Sequence, residues 1–318
     1  MTILDCRPFL AVGVSFIAAV LIAFSRRWPN LRETWSVIAS VLKFGIILSM
    51  LPAVLDGNQY QWTLCQITDT VGLTLRTDPA GMIFAVLASM LWVPMNFYSI
   101  GYMRCNNESE QTGYFAAFAI CMSAVMGIAM AENLLTFFIF YELLTLASYP
   151  LVLHKRNQEA LMASRKYLIY TLISGQLFLA GVIAVYCISG TMDFTPGGFL
   201  TTDMAPRWVL QAIFVLMILA GSVKAAVMPL HGWLPAAMIA PTPVSALLHA
   251  VAVVKTGVFA VLRIIGFVFG PKLLAEIGVV DVLAWAAAAS IIISSLIALR
   301  QDHLKRRLAF STIGQLSY

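Results

Sequence analysis

Three ionisable side chains lie deep inside long apolar stretches of the sequence: Glu142, Lys224 and Lys255. Each stretch is long enough to span a bilayer, where a charged side chain at mid-depth costs about 2.5–3.5 kcal/mol. Burial favours the neutral form of a lysine, whereas a neighbouring carboxylate favours the charged form. A lysine held between these two influences can gain and lose a proton near neutral pH, which is the chemistry of proton transfer.

Glu142 lies near the middle of the apolar run "NLLTFFIFYELLTLASYPLVL", residues 133–153. Thr145 and Tyr149 follow three and seven residues later, so the three polar groups form a stripe on one helical face. Ionisable residues inside a membrane are functional by default. The alternative is a glutamate that only links two helices.

Lys224 comes late in its apolar run, and Pro229 then breaks the helix in "SVKAAVMPLHGWLP". Broken helices are tolerated within membranes only where the freed backbone groups face protein or water, and they recur at ion sites of transporters. The opposite charge of Glu142 makes it the predicted partner of Lys224. The alternative is a lysine that snorkels to the headgroups. His231, just after the break, is interpreted either as a further relay group or as a loop histidine.

Lys255 lies in "PTPVSALLHAVAVVKTGVF", twelve residues into a predicted span. A continuous helix would place it about 18 Å deep, too far for easy snorkelling. His249, six residues earlier, is predicted to serve the same aqueous path from a different helical face. A packed histidine bonded to a backbone carbonyl is the alternative for His249. Lys43 also falls inside a span, where snorkelling or local pairing is the interpretation.

The composition indicates that these residues belong to a membrane protein. The 318-residue chain is 60% hydrophobic and 11% charged, with a mean hydropathy of +0.87, whereas soluble domains are about 25% charged. The fold class predicted is an all-α polytopic membrane protein of nine to ten transmembrane helices, with a discontinuous helix near Lys224–Pro235. The predicted spans are about 8–25, 34–55, 79–103, 112–131, 133–153, 165–189, 207–228, 243–266, 275–299 and 308 onward.

The loop charges predict the orientation. The inside loops hold twelve lysines and arginines and the outside segments hold four, which fits the positive-inside rule with the N-terminus outside. The inside residues are Arg26, Arg27, Arg32, Arg104, Lys155, Arg156, Arg165, Lys166, Arg300, Lys305, Arg306 and Arg307. The outside residues are Arg7, Arg76, Arg207 and Lys272. The predicted location is a bacterial-type inner (cytoplasmic) membrane.

Other chemistries lack their motifs in this sequence. The five cysteines form no C-x-x-C pair, and neither a Gly-rich phosphate loop nor a G-x-S-x-G elbow occurs. We therefore predict no catalytic residues, no metal and no cofactor within the chain. The net charge of +5 belongs mainly to loops and does not predict nucleic-acid binding. The predicted partners are the lipid bilayer, further membrane subunits and protons, with sodium as an alternative ion.

Several segments resemble one family of membrane proteins. "KAAVMPLHGWLPAAMIAPTPVSALLHAVAVVKTGVFAVLR", "FYSIGYM", "FYELLTLASYPLV" and "DHLKRRLAFSTIGQLSY" are similar to signatures of the antiporter-like proton-translocating subunits. These subunits occur in respiratory complex I, in Mrp sodium/proton antiporters and in membrane-bound hydrogenases. The resemblance implies that Glu142, Lys224 and Lys255 are the family's relay residues, with His249 and Lys305 at positions where members place further polar groups.

The resemblance also implies a domain organisation. Three leading helices would occupy residues 1–111, a complete five-helix repeat residues 112–266, and the start of a second, inverted repeat residues 267–318. Because the chain stops within the apolar stretch "LAFSTIGQLSY", we expect a fragment or a truncated gene product. The missing part of the second repeat would hold the exit half of the proton path.

Three functions are compatible with these features. The first is proton translocation by a cofactor-free subunit of a redox-driven complex, such as an NADH:quinone oxidoreductase or a hydrogenase. The second is a subunit of an Mrp-type sodium/proton antiporter. The third is a membrane scaffold that anchors a soluble partner and uses its charges only as structural links.

Overall fold

The computed structural model describes residues 2–68, 71–250 and 252–318, without the side chains of residues 248–250. The chain forms two compact units, one of residues 1–156 with 240–247 and the other of residues 157–239 with 248–318. Within the described residues, nine helices are long and apolar enough to cross a membrane. The chain is therefore a multi-pass membrane protein, and the predicted all-α polytopic class is confirmed.

The first unit is built around one buried helix. Its helices are α1 (Arg7–Phe24), α2 (Pro29–Leu55), α3 (Pro79–Cys105), α4 (Gln111–Ala129) and α5 (Leu134–Val152). The other four helices pack around α4, whose sequence is rich in alanine, glycine and serine. Such small residues let helix backbones approach closely within a membrane. At Gly127 the ring of Phe140 from α5 occupies the place of a side chain, which fixes α5 against α4.

A small sheet, which the sequence reasoning missed, closes one end of the first unit. It consists of β1 (Thr2–Leu4), β2 (Gln59–Gln66) and β3 (Gly72–Arg76), with β1 parallel and β3 antiparallel to β2. Strand β3 holds the connection between α4 and α5: Leu75 bridges to Ala131, and Arg76 forms an ion pair with Glu132 at 3.1 Å. Strands β2 and β3 come from the segment between α2 and α3, whereas β1 precedes α1.

The remaining part of the chain is also helical. Its elements are α6 (Gln158–Ser189), α7 (Arg207–Ala225), a 3₁₀ turn (Leu230–Gly232), α8 (Trp233–Ala237), α9 (Thr242–Ala250), α10 (Val253–Arg263), a π-helical segment (Ile264–Phe269), α11 (Gly270–Ile277), α12 (Val280–Leu299) and α13 (Leu304–Leu316). In the second unit, α7 packs against α6 and α10, and α13 packs against α12 and α8. The predicted break after Lys224 is present between α7 and α8.

Two of the differences between the structure and the predicted spans affect the candidate site. The span predicted as one helix over 243–266 is divided into α9 and α10, because Ala252 has φ −103° and ψ −86°, outside the helical region. The depth of 18 Å for Lys255 assumed a continuous helix and was wrong in that assumption. Helix α6 begins seven residues earlier than predicted, because the Asn157 side chain accepts a hydrogen bond from Ala160 N at 2.8 Å and caps it.

Candidate functional site

Several backbone groups at the break after α7 have hydrogen-bond partners within the protein. The chain turns at Ala226, which has a left-handed conformation with φ 57°. The carbonyl of Val223 accepts a hydrogen bond from Trp233 Nε1 at 2.7 Å, and the carbonyl of Ser222 accepts one from Val227 N at 3.0 Å. Trp233 is completely buried. The break is thus a packed feature of the second unit in which protein groups satisfy the freed carbonyls.

Lys224 lies in the last turn of α7 and is completely buried. The carboxyl end of a helix carries a partial negative charge, which favours an ammonium group. A Cβ atom on Gly257 would collide with the backbone nitrogen of Ala225 and would lie 2.6 Å from the carbonyl carbon of Lys224. Helices α7 and α10 therefore touch backbone to backbone at the level of Lys224.

Lys255 is two residues before this contact, in the first turn of α10, and is half-buried. The hydroxyl of the buried Thr256 donates to Ala252 O at 2.8 Å. The structure thus places the two lysines near opposite ends of two helices that are in direct contact.

The other predicted relay residues of the second unit are His249, His231 and Lys305. His249 lies in α9, but its side chain is outside the described part of the chain, so its role stays a prediction. His231 lies in the 3₁₀ turn and is half-buried, with its ring 5.8 Å from the ring of Phe310. Lys305 is in the first turn of α13, a helix that packs against α8 and α10.

A further cation, Lys166, reaches the break; the sequence analysis counted it only among the inside charges, at the start of the predicted span 165–189. It belongs to α6, and its Nζ atom lies 3.2 Å from the place a Cβ would take on Gly232. Beside it lies a cavity of about 420 Å³, whose charged or titratable lining residues are Glu159, Lys166, His303 and Arg306. The cap at Asn157 was the signal that could have placed Lys166 inside a helix.

Glu142 belongs to the first unit. It lies near the middle of α5 and is half-buried, and Thr145 on the same helix is completely buried. The helix is fixed at its start by Asn133, whose Oδ1 accepts from Thr136 N at 2.8 Å and whose Nδ2 donates to Gly72 O at 2.7 Å. Strand β3 therefore positions the helix that carries Glu142. The pairing of Glu142 with Lys224 stays a prediction.

The protein is multi-pass and helical, and a fully buried lysine lies at the end of a broken helix. That helix packs against a second helix that bears a lysine. This is the architecture of an antiporter-like membrane subunit. Residues 131–318 match the family described as "NADH:quinone oxidoreductase/Mrp antiporter, TM". Because this match covers more than half of the chain, the chain belongs to that family.

Relatives come from both branches that the family description names. A putative antiporter subunit mnhA2 of Staphylococcus haemolyticus is 29% identical over 88% of this chain and 35% of its own length. The chloroplastic NAD(P)H-quinone oxidoreductase subunit 5 of Ceratophyllum demersum is 28% identical over 98% of this chain and 43% of its own length. The chain thus spans less than half the length of these relatives.

Two solved structures share the fold. A chain of the membrane-bound sulfane sulfur reductase, an archaeal respiratory membrane complex, superposes with a TM-score of 0.87 at 24% identity, over 98% of this chain and 63% of that one. A chain of the Mrp complex from Dietzia sp. DQ12-45-1b superposes with a TM-score of 0.84 at 24% identity, over 98% and 33%. The same architecture therefore occurs in a respiratory complex and in an Mrp complex.

Proposed function

We propose that the chain translocates protons across the membrane as a cofactor-free subunit of a redox-driven complex, through a relay of Glu142, Lys224, Lys255 and His249. The observation that carries this proposal is the burial of Lys224 at the end of α7, in backbone contact with the helix that bears Lys255. A buried lysine is costly in a membrane. Its position between the carboxyl end of α7 and the amino end of α10 indicates that it functions in proton transfer.

The proposed direction of proton transfer is from Lys224 to Lys255. Lys224 holds a proton because the α7 carbonyl end and the carboxylate of Glu142 both favour the ammonium form. When Glu142 moves away, burial dominates and Lys224 loses its proton toward Lys255. Lys255, in the first turn of α10, is the proposed acceptor of this proton. His249 and internal water complete the path beyond Lys255.

The cavity beside the break is the proposed entrance of this path. Water in the cavity brings protons to Lys166, which lies next to Gly232 and so within reach of the broken segment. His231 and Lys305 are the proposed further relay groups, since α13 packs against α8 at this place. We further propose a bacterial-type cytoplasmic membrane and other membrane subunits as the setting, which the bacterial relatives and the multi-subunit structures support.

The second candidate is a subunit of an Mrp-type sodium/proton antiporter. The staphylococcal relative and the Dietzia structure support it. Both candidates use the same lysines, so the driving force distinguishes them: redox turnover in the first, a sodium gradient in the second. A scaffold that only anchors a soluble partner is the third candidate, and it gives Lys224 no role beyond packing.

The test is proton transport by the assembled complex in sealed vesicles carrying Lys224→Met. Methionine keeps the stem volume and removes the amine. We expect a loss of about 100-fold or more, the scale of a lost acid–base group, with the amount of assembled complex unchanged. Lys272→Met makes the same exchange at an exposed lysine of the same unit and should retain full transport.

The outcomes separate the candidates. Full transport by Lys224→Met would refute the relay and leave the scaffold. Transport that needs a sodium gradient and is indifferent to redox turnover would replace the first candidate by the second.

A further inference from the structure

One face of α2 is polar and buried along half of the helix. Glu33, Ser36, Ser40 and Lys43 follow one another at helical spacing, and all four are almost or completely buried. They span about 15 Å along the helix axis. Beyond Lys43 the same buried face continues only with apolar residues, namely Ile47, Met50 and Val54. We call the residues from Glu33 to Lys43 the polar column.

Helix α3 contributes to the polar column. Ser36 Oγ donates to Asn96 Oδ1 at 2.8 Å, and Asn96 Nδ2 donates to the carbonyl of Ser36 at 3.1 Å. One turn further toward the Glu33 end, Tyr114 of α4 donates its hydroxyl to Ser99 Oγ at 3.0 Å. The polar groups on α2 are one helical turn apart, a spacing that single water molecules can bridge.

The column begins at a charged network near the molecular surface. Glu33 forms ion pairs with Arg32 and with Arg104, and about half of the Arg104 side chain is exposed. Gln111 accepts a hydrogen bond from Arg32 at 2.7 Å. This end of the column therefore communicates with solvent, whereas the apolar residues after Lys43 separate it from the opposite end.

Lys43 closes the column near the middle of the 27-residue helix α2. It is completely buried, its Nζ atom donates to the carbonyl of Met122 at 2.8 Å, and it lies 4.8 Å from the centre of the Trp92 ring. Of the two interpretations from the sequence, snorkelling does not fit a completely buried side chain, whereas local pairing agrees with these contacts. Among the described residues it forms no ion pair, so a backbone carbonyl and an aromatic face are its stabilising contacts.

The surroundings of Lys43 act on its charge in opposite directions. Burial favours the neutral amine, whereas the Met122 carbonyl and the face of Trp92 favour the ammonium form. Glu33 on α2 itself is three turns away and is engaged by arginines. The titratable groups that are not exposed on the elements packed against α2 include no carboxylate; they are Arg7, Tyr60, Tyr102, Tyr114 and Cys121.

We propose that Lys43 is a second proton-binding site, reached through the polar column only from the membrane face that carries Glu33. This site lies in the leading helices and is separate from the proposed relay of Glu142, Lys224 and Lys255. Its ligand is a proton delivered by water, and the apolar face beyond Lys43 prevents release to the other side.

Trp92 supplies a readout of the proton, because an ammonium group over an indole ring changes its fluorescence. The measurement is the tryptophan emission of the assembled complex in sealed vesicles while the pH is changed on one face at a time. We expect wild type to respond to pH on the Glu33 face. The response should be lost in Lys43→Met, in Trp92→Phe and in Lys43→Arg, since arginine keeps its proton.

Lys43→Arg makes the measurement specific, because a purely structural cation would be replaced by it without loss of any signal. A response identical in wild type and Lys43→Arg, or one elicited from the opposite face, would overturn the proposal. Both outcomes leave the relay untouched, so they are distinguishable from a failure of the proposed function.

Cysteine accessibility tests the route itself, in a background with the five native cysteines replaced. An aminoethyl methanethiosulfonate reagent, with a thiol scavenger on the opposite side, should modify Ser40→Cys and Lys43→Cys from the Glu33 face. Ile47→Cys, one turn beyond on the same face and equally buried, is the matched control and should stay unmodified from both faces. Modification of Ile47→Cys, or protection of Ser40→Cys and Lys43→Cys, would refute the one-sided column.

Discussion

At the scale of single residues, lysine suits a buried relay because its proton can leave, whereas the guanidinium of arginine stays charged in nearly any protein setting. Lys255 tests this difference at the amino end of α10. We expect Lys255→Met and Lys255→Arg both to abolish proton movement by the assembled complex, while assembly is retained. Proton transport in vesicles, beside quantitation of the complex, is the measurement.

Full transport in either Lys255 variant would contradict the prediction, and the meaning would differ between the two variants. Full transport in Lys255→Arg would mean that the position supplies only a fixed charge, and the relay would then depend on His249 and internal water. Full transport in Lys255→Met would mean that no proton depends on this residue. The scaffold function would then be the better interpretation.

The cost of a membrane-buried charge made some residues predictable from sequence and others not. Lys224 could be predicted because a cation inside the membrane, just before a helix break, is costly and therefore indicates a function. Lys166 could not, since the charge count assigned it to a loop and only the longer helix α6 brings it to Gly232. The fully buried state of Lys43 depends on Trp92 and on the Met122 carbonyl, which come from two other helices and have no mark in the local sequence.

At the scale of elements, the contact between α7 and α10 depends on the absence of a side chain at Gly257. A Cβ there would collide with the Ala225 nitrogen, and overpacking of this kind costs about 1–3 kcal/mol. We expect Gly257→Ala to lower the thermal stability of the protein and to reduce proton transport, because the helix that bears Lys255 must move away from Lys224.

Gly266→Ala is the control, since nothing lies within 4 Å of the position where its Cβ would be. It should change stability by no more than about 0.5 kcal/mol. Wild-type melting and transport in Gly257→Ala would show that the helices can shift without consequence, and that their close contact does not position the lysines.

The helices were predictable from apolar length, whereas only one of their interruptions was. Pro229 predicted the break after α7, because proline cannot continue a helix. The division between α9 and α10 has no proline or glycine to mark it: the sequence "LLHAVAVVKTG" reads as one helix. Only the non-helical backbone at Ala252 reveals that division, so tertiary packing overrides a strong local helical pattern there.

At the scale of the whole molecule, the membrane topology depends on whether two interrupted segments, α7 with α8 and α9 with α10, each cross the membrane. The predicted orientation counts α7 with α8 as one crossing and α9 with α10 as another, so that the loops before α7 and after α10 lie on the same side. The alternation of positive charge supports this count. It also determines on which sides of the membrane the relay would open.

Four single cysteines in the second unit test the count, each at an exposed position outside the long helices or at their ends: Gln158, Thr201, Glu276 and Asp302. Helix α6 has 32 residues and is about 48 Å long, which exceeds the roughly 30 Å of hydrocarbon, so Gln158 reaches water. With a membrane-impermeant thiol reagent, Gln158→Cys and Asp302→Cys should react from one face, and Thr201→Cys and Glu276→Cys from the other. If Glu276→Cys instead reacts together with Gln158→Cys, one broken segment does not cross the membrane. The lysines at the two helix ends would then face a single compartment, and a relay between them could not move protons across the bilayer.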